Sequence, residues 1–146
     1  MSQPFTYLFR VRYAECDPQG VVFNGRYVEY ADVAFTEFVR SALGGYQELI
    51  DQGIDFQVVN LNVAWKSSAK ADEVLAATVE VESIGTTSVT FTMRLSEHES
   101  QRPIATIHIV YVMVDSQNYQ KAPIPEGLRQ QLTDGAPGVV VNHAGV

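Results

Sequence analysis

The sequence predicts an α+β fold in which an antiparallel five-stranded sheet wraps around one long central helix. One stretch of about 20 residues has apolar side chains at three- and four-residue intervals, which is typical of an amphipathic helix. One segment before it and four after it carry the alternating or continuous apolar pattern of strands, with turn residues between them. The helix needs a partner for its apolar face, and strands dominate the rest of the chain. We expect residues 1–146 to form a single domain.

Composition and charge narrow the classes of function. The chain is 46% hydrophobic and carries a net charge of −7 at pH 7, so it can bury a core but repels a phosphate backbone. No segment has the roughly 18 apolar residues of a membrane helix, and the N-terminus MSQPFTYLFR lacks the pattern of a signal peptide. We therefore expect a cytoplasmic protein that binds neither nucleic acid nor membranes.

Cysteine and histidine usage predicts neither a metal nor another cofactor. The single cysteine, Cys16, excludes an internal disulfide, and the three histidines are too far apart for a ligand pair on one helical face. We interpret Cys16 as a small buried hydrophobic residue. His108 lies within an apolar strand, which favours a core histidine over a functional one.

The first element is a strand over residues 5–13, which ends in a turn. One face carries Phe5, Tyr7, Phe9, Val11 and Tyr13, and polar residues alternate with them except at Leu8. Pro18 and Gly20 then favour a turn, so Asp17 is expected on a loop.

A long helix follows, from about Asn24 to Leu43. Its apolar positions are Tyr27, Tyr30, Ala31, Ala34, Phe35, Phe38, Ala42 and Leu43. Asn24 is a candidate N-cap, and Gly44-Gly45 is a stop signal. The acidic residues between the apolar positions, Glu29, Asp32 and Glu37, are interpreted as a solvated face.

The remainder of the sequence predicts four strands and two short helices. Helical turns are predicted at 46–52 and Pro125–Leu132, and strands at 55–66, 73–84, 87–97 and 103–115. The last strand is apolar on both faces, which predicts a central strand covered on each side. Residues 134–146 are rich in Gly and Pro and are expected to be loosely ordered.

The stretch RVRYAECDPQGVVFNGRYVEYADVAFTEF closely resembles the opening of the 4-hydroxybenzoyl-CoA thioesterase family, which includes the bacterial YbgC-like acyl-CoA thioesterases. The matching residues are Asp17, Gly20, Val21, Val22 and Tyr27. A looser resemblance covers nearly the whole chain, because NLNVAWKSSAKADEVLAATVEVESIG is similar to the family's second and third strands. The resemblance implies a hot-dog fold, acyl-CoA hydrolysis and a catalytic Asp17.

General chemistry agrees with that implication. Unpaired N–H groups at a helix N-terminus can stabilise the oxyanion formed when a thioester carbonyl is attacked, and the segment from Asn24 to Tyr27 supplies them. Asp17, on the preceding turn, could act as nucleophile or general base. We expect Asn24 to contribute through a backbone N–H near it. An Asp before Pro is also a common turn element, and Tyr27 could belong simply to the core.

Substrate contacts are expected close to the same turn. The candidate binding residues are Gly20, Val22, Phe23, Tyr27 and Lys66. Aromatic residues around the helix start favour a short or aromatic acyl group, which the apolar residues of strand 55–66 would also contact. Unlike some relatives, the hairpin SIGTTS carries no basic cluster for the CoA phosphates. Those phosphates would have to be held by Lys66, Lys70, Arg94 or Arg102.

The sequence leaves other interpretations of the catalytic residue and the function open. Some related hot-dog thioesterases use a helix carboxylate, which keeps Glu29 as a reserve candidate. Many YbgC-like members have a His where this chain has Asn24, so their substrate preference does not transfer. A hot-dog dehydratase would need a His paired with a carboxylate, but the first histidine, His98, is far from the helix start. A silent acyl-CoA or acyl-carrier binding module is the other alternative.

The expected quaternary structure is a homodimer or homotetramer. One helix against one sheet leaves an open strand edge, and the strand at 103–115 has a second apolar face. Pairing two copies edge to edge would cover both.

Overall fold

The structure is a computed structural model that describes residues 3–146. In chain order its elements are β1 (Phe5–Arg10), α1 (Arg26–Ala42), α2 (Tyr46–Asp51), β2 (Ile54–Trp65), β3 (Val74–Ile84), β4 (Ser88–Glu97), β5 (Pro103–Asp115), α3 (Glu126–Asp134) and β6 (Val140–Asn142). A short 3₁₀ turn, Tyr13–Glu15, follows β1. The strands form one sheet in the order β2-β5-β4-β3-β1-β6.

The sheet wraps around α1, as the sequence predicts. Phe35 of α1 stacks on Tyr111 of β5 with ring centroids 4.1 Å apart and meets Phe91 of β4 edge-on. Phe38, one turn on, contacts Phe5 of β1 and Phe91. A single helix thus packs its aromatic side chains against strands across the sheet, which is the expected hot-dog arrangement.

The start of α1 lies two residues later than predicted. The N-cap is Gly25, and the Asn24 side chain makes no capping hydrogen bond. The reason is a turn at Phe23–Arg26, in which the Arg26 N–H donates to the Phe23 carbonyl oxygen at 2.9 Å. The prediction of Asn24 as the N-cap was therefore wrong. The helix ends at Ala42, and Gly44 then adopts φ +82°, as the predicted stop signal requires.

The sheet has a sixth strand, and it is mixed. β6 pairs in parallel with β1, so the prediction of five antiparallel strands was one strand short. β6 lies within residues 134–146, and for Val140–Asn142 the prediction of loose order was wrong. The same segment explains why Leu8 breaks the alternation of β1. Leu8 is buried on the outer face of the sheet, where it packs against Ala76 and Ala144.

Four side-chain placements differ from prediction. Tyr13 is 88% exposed, because the chain leaves β1 for the 3₁₀ turn before reaching it. Glu37 is buried, not solvated, and forms an ion pair with Arg40 one turn later. Cys16 is only partly buried. His108 is half-exposed on the outer face of β5, where Nδ1 lies 3.3 Å from the Thr92 hydroxyl oxygen, so it is not a core histidine.

The outer face of the sheet is open in the middle of β5. The half-exposed side chains there are Thr106, His108 and Val110. Within residues 3–146 nothing supplies the second layer predicted for this face. Antiparallel sheets often leave one face in solvent, and the polar residues at 106 and 108 fit that behaviour.

Candidate active site

Asp17 begins a tight turn immediately before α1. The Gly20 N–H donates to the Asp17 carbonyl oxygen at 2.9 Å, and the Asp17 N–H donates to the Val21 carbonyl oxygen at 2.9 Å. Gly20 has φ +79°, a conformation that a side chain would strain. The Asp17 carboxylate accepts the Gln19 N–H through Oδ1 at 2.8 Å. Its Oδ2 accepts no hydrogen bond from residues 3–146, so one carboxylate oxygen is fixed and the other is available.

Backbone pairing fastens this turn to two neighbouring segments. Cys16 and Val22 pair across the turn, and Val21 pairs with Lys70. The Val22 N–H donates to the Ala69 carbonyl oxygen at 2.8 Å. The residues on either side of Asp17 are thus held against the loop that links β2 to β3.

Glu15 joins the same turn to α1. Its Oε1 accepts the Tyr30 hydroxyl at 2.9 Å and the Arg12 N–H at 2.8 Å, and its carbonyl oxygen accepts the Phe23 N–H at 2.9 Å. Burial raises the pKa of the Tyr30 hydroxyl, and the hydrogen bond to the Glu15 carboxylate raises it further. Tyr30 therefore remains a protonated donor over the whole physiological pH range.

The N-terminus of α1 offers unused backbone donors. The Tyr27 N–H makes only a long contact of 3.4 Å to the Asn24 carbonyl oxygen. In the described chain, the N–H groups of Asn24 and Gly25 donate to no protein acceptor. Free N–H groups at the positive end of a helix dipole are suited to stabilise an oxyanion.

A cleft of about 390 Å³ brings most of the predicted residues together. Its lining includes Asp17, Val22, Asn24, Tyr27 and Lys66. Two other predicted residues lie outside it. Gly20 lines an adjoining cleft that it shares with Asp17, and the half-exposed ring of Phe23 lies outside both clefts.

Tyr27 serves the core and the cleft at once. It is 2% exposed, and its ring meets the Trp65 ring edge-on at 5.7 Å. Its hydroxyl oxygen accepts a weak hydrogen bond from the Ala69 N–H at 3.4 Å. Burial raises the pKa of the phenol, and the Ala69 hydrogen bond partly opposes that rise. Tyr27 is therefore a core residue that also lines the cleft, and its contact with the substrate stays a prediction.

Sequence reasoning missed several residues of this cleft. These are Gln19, Ser67 and Ser68, and Trp65 was included only as one of the apolar residues of strand 55–66. Trp65 is the single tryptophan of the chain and is half-exposed at the end of β2, directly before Lys66. A large apolar residue next to a lysine at a strand end was a usable signal, because exposed aromatic side chains often mark binding surfaces.

Two of the four predicted phosphate-binding cations are already engaged. Arg102 Nη2 lies 3.0 Å from Glu73 Oε1 and donates to the Ser68 carbonyl oxygen at 3.0 Å. Arg94 is paired with Glu80 at 3.2 Å. No local sequence pattern reveals these pairs, since each joins residues on different strands or loops.

The reserve carboxylate, Glu29, lies away from the Asp17 cleft. It forms an exposed ion pair with Arg26 at 3.1 Å and lines a separate cleft of about 820 Å³. Tyr7, Phe9 and Tyr30 also line that larger cleft. Glu29 is thus not part of the group around Asp17.

Two features are absent from residues 3–146. No group of three or more His, Cys, Asp or Glu side chains there could hold a metal ion. No helix in that range is both long and apolar enough to span a membrane.

The family model of the thioesterase-like superfamily matches residues 11–132. The acyl-CoA thioesterase YbgC of Haemophilus influenzae is 29% identical over 77% of this chain and 83% of its own. The acyl-CoA thioester hydrolase YbgC of Escherichia coli O157:H7 is 27% identical over 85% of this chain and 92% of its own. The crystal structure of a hypothetical protein from Aquifex aeolicus superposes with a TM-score of 0.81 at 26% identity, over 88% of this chain and 99% of that chain.

Proposed function

The chain belongs to the thioesterase-like superfamily and is a thioester hydrolase, and from this we propose that Asp17 is the catalytic carboxylate of an acyl-CoA thioesterase. The reaction converts an acyl-CoA and water to the free acid and CoA. We propose further that the acyl group is short or aromatic.

One observation carries the assignment of Asp17. Asp17 lines the same cleft as Asn24 and Tyr27, which lie at the N-terminus of α1, and Asp17 and Asn24 each carry an unused group. Asp17 has a carboxylate oxygen without a hydrogen-bond partner in residues 3–146, and Asn24 has a backbone N–H without an acceptor there. A nucleophile or base opposite an oxyanion donor is what acyl transfer requires.

The proposed chemistry starts with the thioester carbonyl oxygen accepting the Asn24 backbone N–H. In one version Asp17 attacks the carbonyl carbon, CoA leaves as the thiolate, and water then hydrolyses the resulting anhydride. In the other version Asp17 takes a proton from a water molecule, which attacks the carbon directly; the C–S bond then breaks, and the CoA thiolate leaves with the proton that Asp17 had taken. The Gln19 N–H would hold Asp17 Oδ1 in either version, leaving Oδ2 to react.

The remaining candidate residues receive binding roles in this proposal. Val22 and Tyr27 supply apolar and aromatic walls for the acyl group, and Phe23, next to Asn24 in the chain, offers an exposed ring outside the cleft. Gly20 allows the turn that carries Asp17, and Lys66 lines the cleft. A cleft of about 390 Å³ suits a small acyl group better than a long chain.

The experiment is thiol release from a panel of acyl-CoAs that differ in chain length and aromaticity. We expect the highest kcat/KM with a short or aromatic substrate. If palmitoyl-CoA gave the highest kcat/KM, the proposed acyl group would be wrong. Binding of CoA esters without thiol release would instead support the silent binding module.

A further inference from the structure

The free cations of this acidic protein are few, and they are unevenly placed. Six of its ten Lys and Arg residues form ion pairs with carboxylates, and these are Arg10, Arg26, Arg40, Arg94, Arg102 and Arg129. Over residues 3–146 the cations without such a pair are Arg12, Lys66, Lys70 and Lys121. Two of the four therefore lie on one five-residue loop, Lys66–Lys70, which we call the KSSAK loop.

The KSSAK loop is anchored at its N-terminal half by the start of β5. The Lys66 N–H donates to the Ile104 carbonyl oxygen at 2.7 Å, and the Ser67 hydroxyl donates to the Pro103 carbonyl oxygen at 2.6 Å. Arg102 Nη2 donates to the Ser68 carbonyl oxygen at 3.0 Å. These bonds fix the backbone without using either lysine side chain.

The C-terminal half of the loop is fixed just as firmly. The Lys70 N–H donates to Glu73 Oε1 at 2.7 Å, and the same carboxylate pairs with Arg102. Glu73 thereby neutralises Arg102 and leaves Lys70 free. A loop that is ordered before binding loses little conformational entropy when a ligand binds to it.

The KSSAK loop forms one wall of the Asp17 cleft. Lys66, Ser67 and Ser68 line that cleft, and Lys70 pairs through its backbone with Val21, which lines it as well. Lys121, one of the other two cations without an ion pair, lies near the other end of β5, where its backbone pairs with that of Val114. At a strand rise of about 3.3 Å per residue, the ten residues from Ile104 to Val114 separate the two ends of β5 by roughly 33 Å.

We infer that the KSSAK loop binds the phosphates of the 3′-phosphorylated ADP end of CoA, with Lys66 and Lys70 as the two cations. This inference rests on the proposed acyl-CoA hydrolysis, and it names the part of the substrate that the loop recognises. CoA carries its negative charge at that end, whereas the pantetheine arm and a short or aromatic acyl group are neutral. The other two sequence candidates, Arg94 and Arg102, act within the protein, and Arg102 positions the loop.

The test compares two substrates that share one acyl group. One is the acyl-CoA, and the other is the matching S-acyl-pantetheine, which lacks the nucleotide. We expect the wild-type KM to be about tenfold lower for the acyl-CoA, which is what two solvent-accessible ion pairs can supply. In the double variant Lys66→Ala/Lys70→Ala, the ratio of the two KM values should fall towards one. The double variant Lys66→Arg/Lys70→Arg and the control Lys121→Ala should keep the wild-type ratio.

Several results would overturn the inference. The first is a ratio of the two KM values near one in the wild type. The second is an unchanged ratio in the double Ala variant. The third is an equal rise of both KM values in that variant, which would indicate a disturbed loop. If neither thioester were hydrolysed, the proposed function would fail, but phosphate binding by the KSSAK loop could still be tested. Titration with adenosine 3′,5′-bisphosphate should then show binding to the wild type that the double Ala variant loses. Equal binding by both proteins would refute the site.

Discussion

Among single residues, Tyr30 makes a contact that links α1 to the Asp17 turn. Its hydroxyl donates to Glu15, two residues before Asp17, and a carboxylate acceptor in a partly buried setting strengthens such a bond. The neighbouring Phe23 N–H fixes the Glu15 backbone at the same place. We therefore propose that Glu15, which does not line the Asp17 cleft, positions the turn that carries Asp17.

The change Tyr30→Phe tests this link. Loss of one hydrogen bond to a charged acceptor should lower the free energy of unfolding by about 1–2 kcal/mol, measured by urea denaturation. kcat should fall as well, because the turn that carries Asp17 loses its tie to α1. Tyr46→Phe is the matched control, since Tyr46 donates to Asp55 at an exposed site remote from the cleft. Equal loss of kcat in both variants would contradict a positioning role for the hydrogen bond between Tyr30 and Glu15.

Residue-level predictions from the sequence succeeded where the signal was local. Asp17 was expected on a turn because Pro18 and Gly20 lie beside it, and the backbone bonds of that turn are present. The burial of Glu37 was missed, because the burial of an acidic residue depends on what packs over it. The pairing of Arg102 with Glu73 was missed because the two residues are far apart in the chain.

Among the elements, the β4–β5 hairpin carries a carboxylate that makes it sensitive to pH. Glu97 accepts the backbone N–H groups of Glu99 and Ser100 and the Ser100 hydroxyl. These bonds lower the pKa of Glu97 from its ordinary value of 4.5 to about 2. A lowered pKa means that the stabilisation is complete above pH 4.5 and is lost as the pH falls towards 2.

The substitution Glu97→Gln removes this titration. The unfolding free energy of the variant should depend less on pH between 4.5 and 2 than that of the wild type, and the difference between the two proteins should shrink as the pH falls. Urea midpoints at several pH values in this window measure it. Glu99→Gln is the control, because the Glu99 side chain takes no part in these bonds. Parallel pH profiles for wild type and Glu97→Gln would count against the explanation.

Strand and helix positions were predicted from the sequence to within a few residues, and the exceptions have a common cause. The apolar alternation in the sequence of β1 continues to Tyr13, but the strand ends at Arg10 because the next residues turn towards α1. β6 was missed because a three-residue strand gains its stability from pairing with β1, which is remote in sequence. The start of α1 was misplaced because Asn24 belongs to a preceding turn.

For the whole molecule, the main feature is the free edge of the sheet at β2, which carries exposed apolar side chains. Val58 is 51% exposed and Val59 is 59% exposed on that strand, and Trp65 is half-exposed at its end. An open strand edge with apolar side chains invites pairing with another strand. We propose that two copies pair through β2 to form a homodimer, and that two such dimers can associate to form a tetramer.

Sedimentation at micromolar concentration tests the dimer. The wild type should sediment as a dimer or tetramer, and Val58→Lys should shift it towards the monomer, since a charge at an edge opposes strand pairing. Val139→Lys is the control, because Val139 is 39% exposed and lies outside β2. A monomeric wild type would contradict the proposal.

Across the whole site, the proposed catalysis by Asp17, which lines one cleft with Asn24 and Tyr27 at the start of α1, is tested most directly by kcat of the Asp17→Asn variant. The isosteric change keeps the Gln19 hydrogen bond to Oδ1 but removes the reactive carboxylate. With the best acyl-CoA of the panel, kcat should fall by about 10²-fold or more while KM and the unfolding midpoint change little. Glu29→Gln, measured in parallel, should retain wild-type kcat. Near wild-type kcat in Asp17→Asn would contradict the account, and a loss in Glu29→Gln instead would move the catalysis to the helix.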